Sequence, residues 1–196
     1  MSYNSKLTRK RILSEAHHAF LSQGFQSASL RDIAKKAHVT TGAMYNHFKN
    51  KEVLFEALVE LSASELLNYI RQTYQQVDGE DNETIEKTSL HSTDKIIDYI
   101  YNHFDDFKLI FCCSTGSKYE NYLSELAEIE EEFQRKVLDR EGIKVNDHFL
   151  HVICVAGFQD LYEIVDHDLS KEEAIEYMDT VKCFRMAGWK AILNEK

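Results

Sequence analysis

The chain has no proline and only seven glycines in 196 residues, so little in it interrupts a helix. No strand pattern and no internal repeat is visible. No apolar run approaches the ~20 residues of a membrane span, and the N-terminus lacks the apolar core of a signal peptide. A cytoplasmic protein without a membrane partner is therefore expected. Cysteine is sparse: Cys112, Cys113, Cys154 and Cys183 lie in apolar helical surroundings without metal-ligand spacing. They read as buried free thiols of a reducing compartment, with no metal site, although the adjacent Cys112-Cys113 pair leaves redox or metal sensing open. No Glu-x-x-His pair falls on two facing helices, and no nucleophile, base and orienting group are set together. The Glu128–Glu132 run, with Ile129 as its one apolar member, reads as a solvated face. Neither an enzyme nor a bound cofactor is expected.

What is present concentrates between Ser29 and Lys51. Ser29 suits the N-cap of a short helix, with Asp32 three residues on as an abbreviated capping box. Leu30, Ile33, Ala34 and Ala37 then share one helical face and leave Arg31, Lys35 and Lys36 outward. Thr40 or Thr41 caps a second short helix, which Met44 and Phe48 dock through an i, i+4 apolar stripe. Burying that stripe leaves Thr41, Ala43, Tyr45, Asn46 and His47 on or near the solvent side. Small, hydrogen-bonding and aromatic side chains so placed suit a major groove. The pattern is a helix-turn-helix, and its partner is double-stranded DNA.

Charge agrees once the chain is divided. Its net charge is −10, yet residues 1–51 carry nine Lys/Arg against Glu15 and Asp32, while residues 52–196 carry 14 Lys/Arg against 31 acids. A basic head on an acidic body directs one end of the molecule at a polyanion.

The string Thr41-Gly42-Ala43-Met44-Tyr45-Asn46-His47-Phe48-Lys49-Asn50-Lys51-Glu52-Val53-Leu54, with the preceding helices from Thr8 to Gly24-Phe25, resembles the N-terminal domain of the tetracycline-repressor (TetR) family of transcription regulators. The likeness covers about residues 6–60; beyond them only length and helical character are similar. It implies an all-α, two-domain architecture of about nine helices. Residues 1–51 would form a three-helix DNA-binding domain, and residues 52–196 a helical bundle for ligand binding and dimerisation. It also implies that Tyr45, His47 and Lys51 contact the operator, Lys51 through a phosphate at the N-terminus of the fourth helix. Chemistry adds Arg31 for a phosphate or guanine edge, Thr41 and Ala43 for bases and Gly42 for close backbone approach, with Thr40 and Asn46 as further DNA-binding residues.

Asn50 should cap a fourth helix from Lys51 to about Gln76, ~38 Å long. Further helices are expected near 92–104, 106–114, 117–140, 146–166 and 171–194, with Gly24 as a left-handed C-cap of the first helix and Gly79 in a loop. Gly157 and Gly188 sit inside helices, where glycine costs about 1 kcal/mol against alanine. Either subunits pack closely there or helices do so within one subunit. The resemblance favours a homodimer through the last two helices, with Ile153, Gly157, Phe184 and Gly188 in the interface, matched to a palindromic operator.

The body is rich in aromatics, which as a set fit an apolar pocket for a small-molecule effector. Its expected lining is Tyr99, His103, Phe107, Phe111, Cys112, Tyr122 and Phe158, with His151 or Gln159 as further polar groups. The acidic body favours a cationic or neutral lipophilic effector. The function expected is a DNA-binding regulator, a repressor released by its effector. The alternative is a DNA-binding activator or architectural protein whose body binds another protein.

Overall fold

The computed structural model describes residues 3–194, which form nine α-helices and no strand. Among them no helix is long and apolar enough to cross a membrane. The chain divides into two compact units.

The first unit takes the chain through Ser64 together with Asp105–Asn121. It holds α1 (Tyr3–Ser27), α2 (Leu30–Lys36), α3 (Thr41–His47), the first half of α4 (Lys51–Val77) and nearly all of α6 (Phe104–Cys112). Its centre is aromatic. Phe55 of α4 meets Phe20 of α1 at 5.0 Å and Phe25 at 5.3 Å edge-on, and the tilted Tyr119 ring at 5.8 Å, between ring centroids; Phe20 and Phe55 are fully buried. Such pairs add about 0.5–1.5 kcal/mol each to the area they bury. Gly24 makes this convergence possible. With φ +73° and ψ 164° it breaks the helix within the α1 span, which turns Phe25 inward and lets the Phe25 amide donate to the Cys113 carbonyl at 2.7 Å. The expected left-handed cap is thus a fully extended, positive-φ kink, a region open to little but glycine.

A polar clamp holds the 114–121 segment to α4. Lys118 reaches Glu56 and, at 3.0 Å, Glu60; its amide donates to Glu52 at 3.0 Å, and the Tyr119 hydroxyl donates to Glu60. The Glu60 carboxyl is held below its ordinary value first by the Tyr119 hydrogen bond and then by Lys118.

The second unit comprises Glu65–Phe104 and the chain from Tyr122 onward. It contains the rest of α4, α5 (Asn82–Asn102), α7 (Tyr122–Glu141), α8 (Asp147–Asp166) and α9 (Lys171–Asn194). One apolar cluster joins Val77, Phe133 and Val137, with Tyr74 stacked on Phe133 at 4.7 Å; another joins Leu138, Leu150 and Cys154. Helices α5 and α9 are laced by three ion pairs, Asp98–Lys171, Asp94–Lys182 and Glu86–Lys190.

Several expected boundaries shift. Asn50 caps α4 as expected, its Oδ1 accepting from the Val53 amide at 2.8 Å. Helix α5 starts ten residues before the expected 92, because the Asp81 carboxylate accepts from the Thr84 amide at 2.7 Å and caps a stretch of weak helix formers. Helix α7 starts at Tyr122 rather than 117, since Ser114–Asn121 is spent on turns around Gly116. The units also divide the chain differently from a cut after Lys51: α4 is continuous through that point, and residues 105–121 pack with the head.

Gly24→Ala should lower stability by about 1–3 kcal/mol through backbone strain, since the nearest atom to a Cβ there, the Cys113 oxygen, is at an ordinary 3.9 Å. Urea unfolding checks this. A change within experimental error would show that the kink relaxes at no cost.

Candidate functional site

The helix-turn-helix follows from local rules. The Ser29 hydroxyl accepts from the Asp32 amide at 3.4 Å and starts α2; Thr40 Oγ1 accepts from the Ala43 amide at 3.1 Å and starts α3. The turn between them is a Schellman closure: Val39 N donates to Ala34 O at 3.0 Å and His38 N to Lys35 O at 3.1 Å, with His38 at φ +54°. Ile33, Ala34, Ala37, Met44 and Phe48 are buried, which fixes α3 on the head. The guanidinium of Arg9 lies 5.1 Å from the Phe48 ring centre and covers its far side.

Docking by Met44 and Phe48 decides what α3 offers. Thr41, Gly42 and Asn46 are exposed, Tyr45 is 49% exposed, and Ala43 and His47 are half-buried. A Cβ on Gly42 would meet no atom within 4 Å, so nothing inside the chain demands glycine there. Arg31, Lys35, Lys36 and Lys49 are exposed around this face. The acids at the start of α4, Glu52, Glu56 and Glu60, are engaged by Lys118 instead. Lys51 is partly engaged as well: its Nζ donates to the Gln26 carbonyl at 2.9 Å and the Ala28 carbonyl at 3.3 Å, and lies 4.8 Å from the Phe25 ring centre. The residue expected to hold a phosphate also closes the chain after the Gly24 kink.

The second unit contains a cavity of about 150 Å³ lined by α4, α5, α7, α8 and α9. Its polar lining includes Glu130, Gln134, Lys182 and Arg185, and its apolar lining includes Ile96, Phe158, Leu161, Met178, Val181 and Trp189. Glu130 is 8% exposed; its burial raises the carboxyl's pKa, against the opposing pull of Arg185 and Gln134.

Residues 12–58 match the family model for bacterial regulatory proteins of the tetR family. The head is thus similar to the N-terminal domain of the TetR family. It is 51% identical over 59 residues to the HTH-type transcriptional regulator AcrR of Shigella flexneri, covering 30% of this chain and 27% of that protein. It is 39% identical over 59 residues to the HTH-type transcriptional regulator UidR of Escherichia coli, covering 30% of each. The chain thus aligns with less than a third of the length of these curated relatives. Solved structures extend the likeness to nearly the full chain as a fold. The TetR-family regulator PfmR of Thermus thermophilus superposes with TM-score 0.58 at 18% identity, covering 87% of this chain and 93% of that one. NalD of Pseudomonas aeruginosa, described as the secondary repressor of the MexAB-OprM multidrug efflux pump, gives TM-score 0.52 at 19% identity, covering 90% and 95%.

Beyond the TetR head, the structure rearranges the expected sites. Of the residues expected to line a pocket, Phe158 lines the cavity; Tyr99, His103 and Tyr122 lie elsewhere in the second unit, and Phe107, Phe111 and Cys112 belong to the first. The aromatics were one set in sequence but are two in space, because Ser114, Gly116 and Ser117 turn the chain between them. His151 and Gln159 are exposed and bonded to Glu131 and Glu163. Gly157 has its reason within one subunit: a Cβ there would stand 2.6 Å from Cζ of Arg185 and closer still to both terminal nitrogens. Gly188 faces open space, Phe184 is 75% exposed, and Ile153 is half-buried with its carbonyl accepting from Arg185. Glu130 is not on a solvated face; its spacing from Leu126, Phe133 and Val137 sets it on the buried stripe of α7, a signal visible in the sequence. Cys183 is exposed rather than buried, whereas burial pushes the Cys154 thiol up to about 12.

Lys51→Ala should reduce stability by ~1 kcal/mol, because two carbonyls lose a charged donor, while Lys49→Ala leaves it unchanged. Thermal unfolding of the two variants side by side checks the difference.

Proposed function

We propose that this protein is a homodimeric, sequence-specific DNA-binding transcription regulator of the cytoplasm, a repressor that leaves a palindromic operator when a small effector enters the second unit. The observation that carries the reading is the outward face of α3: Thr41, Gly42, Tyr45 and Asn46 stand in solvent because Met44 and Phe48 are buried beneath them. Thr41, Ala43 and Asn46 suit base edges, Gly42 admits the DNA backbone closely, and Arg31, Tyr45, His47 and Lys51 suit phosphates. Thr40 caps α3 with its hydroxyl, so its role is to orient the amides that follow. Lys51 keeps one ammonium proton for a phosphate beyond the two carbonyls it serves.

Two heads are needed to read a palindrome, and apolar surface on the last two helices supports pairing. Phe149 and Val152 on α8, and Tyr177 and Phe184 on α9, are exposed. Solvated apolar side chains of this size on the last two helices suit an interaction surface. Of the four residues expected in the interface, Phe184 is the best supported; Gly157 is occupied by Arg185. Release by an effector requires only that the effector bind one form better. Typical coupling of ~1–3 kcal/mol gives about 5- to 150-fold weaker DNA binding. Helix α4 is the continuous element, contributing its first half to the head and its second half, including Tyr74 of the cavity wall, to the body.

With a dimer neutralising roughly 6–10 phosphates, operator affinity should fall about 10³- to 10⁵-fold between 50 and 200 mM salt. Gel-shift titrations against genomic fragments measure it, and salt-insensitive binding counts against the reading. Phe184→Asp should yield monomers that bind DNA at least ~100-fold more weakly, since a buried unpaired charge is costly at an interface. Sedimentation combined with DNA binding tests this, and a variant that remains dimeric on DNA removes the proposed surface.

A further inference from the structure

The cavity of the second unit has a charge pattern opposite to its surroundings. In a chain of net charge −10, its lining carries two cations, Lys182 and Arg185, and a single acid, Glu130. Lys182 is committed, its ammonium reaching the exposed carboxylates of Asp94 and, at 3.0 Å, Asp179. Arg185 is not. Its Nη1 donates to the Ile153 carbonyl and its Nη2 to Glu130, both at 3.3 Å, beyond the usual 2.7–3.2 Å. A guanidinium has five donors, so three remain. Its planar end lies against Gly157, whose missing side chain leaves the room it occupies.

The apolar part of the site has a direction. A second hollow, of about 320 Å³, shares Ser89, Gln134, Met186 and Trp189 with the cavity and continues outward along Ile85, Val137 and Leu193. Its rim carries Glu86 and Lys190, which form one of the α5–α9 ion pairs. A polar anchor inside and an apolar trough leading out fit a molecule with one charged end and a hydrocarbon body.

We propose that this cavity binds a small amphipathic monocarboxylate, its carboxylate on Arg185 and its apolar chain along Met186 and Trp189. The assignment rests on the reading of the second unit as an effector domain. A planar carboxylate takes two parallel hydrogen bonds from a guanidinium, which few other groups do as well. An amine would instead place its charge beside the Arg185 guanidinium, against like-charge repulsion. The acidic residues that suggested a cationic effector lie outside the cavity lining, Glu130 excepted.

Glu130 then acts as the proton partner. Two carboxylates beside one partly buried guanidinium each raise the other's pKa, and burial raises that of Glu130 further. The other ionisable groups around it are Arg185 and Lys182 from α9, Tyr74 from α4 and Cys154 from α8, the last two kept neutral by burial; α5 contributes Ser89, Ser92 and Thr93. As the ligand carboxylate arrives, Glu130 takes a proton from solvent, and its new O–H can donate to that carboxylate.

Calorimetry on the full chain at neutral pH, with the aliphatic carboxylates from butanoate to dodecanoate and with octylamine and octanol as matched controls, tests the proposal. One or more carboxylates should bind, and octylamine should not. Repeating the titration in buffers of different ionisation heat should reveal net proton uptake. Arg185→Met should weaken carboxylate binding by at least ~30-fold. Glu130→Gln should retain binding and abolish proton uptake, an outcome that a folding defect does not produce. The proposal is overturned if no carboxylate binds below ~1 mM, if binding ignores Arg185, or if octylamine binds and is lost in Glu130→Gln. Operator binding is measured separately. Carboxylate binding without DNA release removes the effector reading and leaves this site standing, and release by a compound that does not use Arg185 does the reverse.

Discussion

The head depends on the burial of Phe55 where rings from both sides of the Gly24 kink meet one from the 114–121 segment. Phe20 comes from α1, Phe25 from beyond the Gly24 kink, and Tyr119 from a segment that leaves and returns across sixty residues. Phe55 itself sits one turn into α4, so the rings set where that helix starts. The position of α4 in turn fixes Lys51, whose ammonium draws in the carbonyls of Gln26 and Ala28. The helix-turn-helix is thus held at both ends by one aromatic contact: α1 enters it and α4 leaves it. Capping and the Schellman turn give α2 and α3 their form, but the rings give them their place.

Much of the head was legible in sequence because its determinants are local. A cap at Ser29, a cap at Thr40, an apolar stripe at Met44 and Phe48 and a cap at Asn50 each act over three or four residues. The exposed face of α3 follows from them by subtraction. The body was less legible because its determinants are not local. Nothing near Gly157 indicates that a guanidinium from α9 lies on it, so its purpose could not be separated from a contact between subunits. Phe107 and Phe158 look alike in sequence and belong to different units, since that assignment depends on turns at Ser114–Ser117. Glu130 is the instructive exception. Composition set it among solvated acids, whereas its period with Leu126, Phe133 and Val137 placed it inside.

The buried charges of the second unit are costly to maintain. Ion pairs of this kind contribute little net stability, and apolar replacements of equal volume often stabilise a fold. Here the pair is also imperfect: the Arg185–Glu130 contact is long, and burial outweighs the attraction in the Glu130 titration. The pair stands beside the hollow, where it could be relieved by an incoming polar group. Sites with stored tension of this kind are common where binding must alter conformation.

The seam between α5 and α9 is the wall a molecule would cross to reach that hollow. It is closed by Asp98–Lys171, Asp94–Lys182 and Glu86–Lys190, five of whose six side chains are well exposed or at the rim, rather than by a continuous apolar ridge. Water can take the place of either partner when such a pair separates, so the barrier to parting the helices is small compared with that for exposing the Phe133 or Leu150 clusters. Residence inside then depends on the anchor rather than on the gate. Arrival and departure of a molecule bound there should be quick and sensitive to salt at the rim.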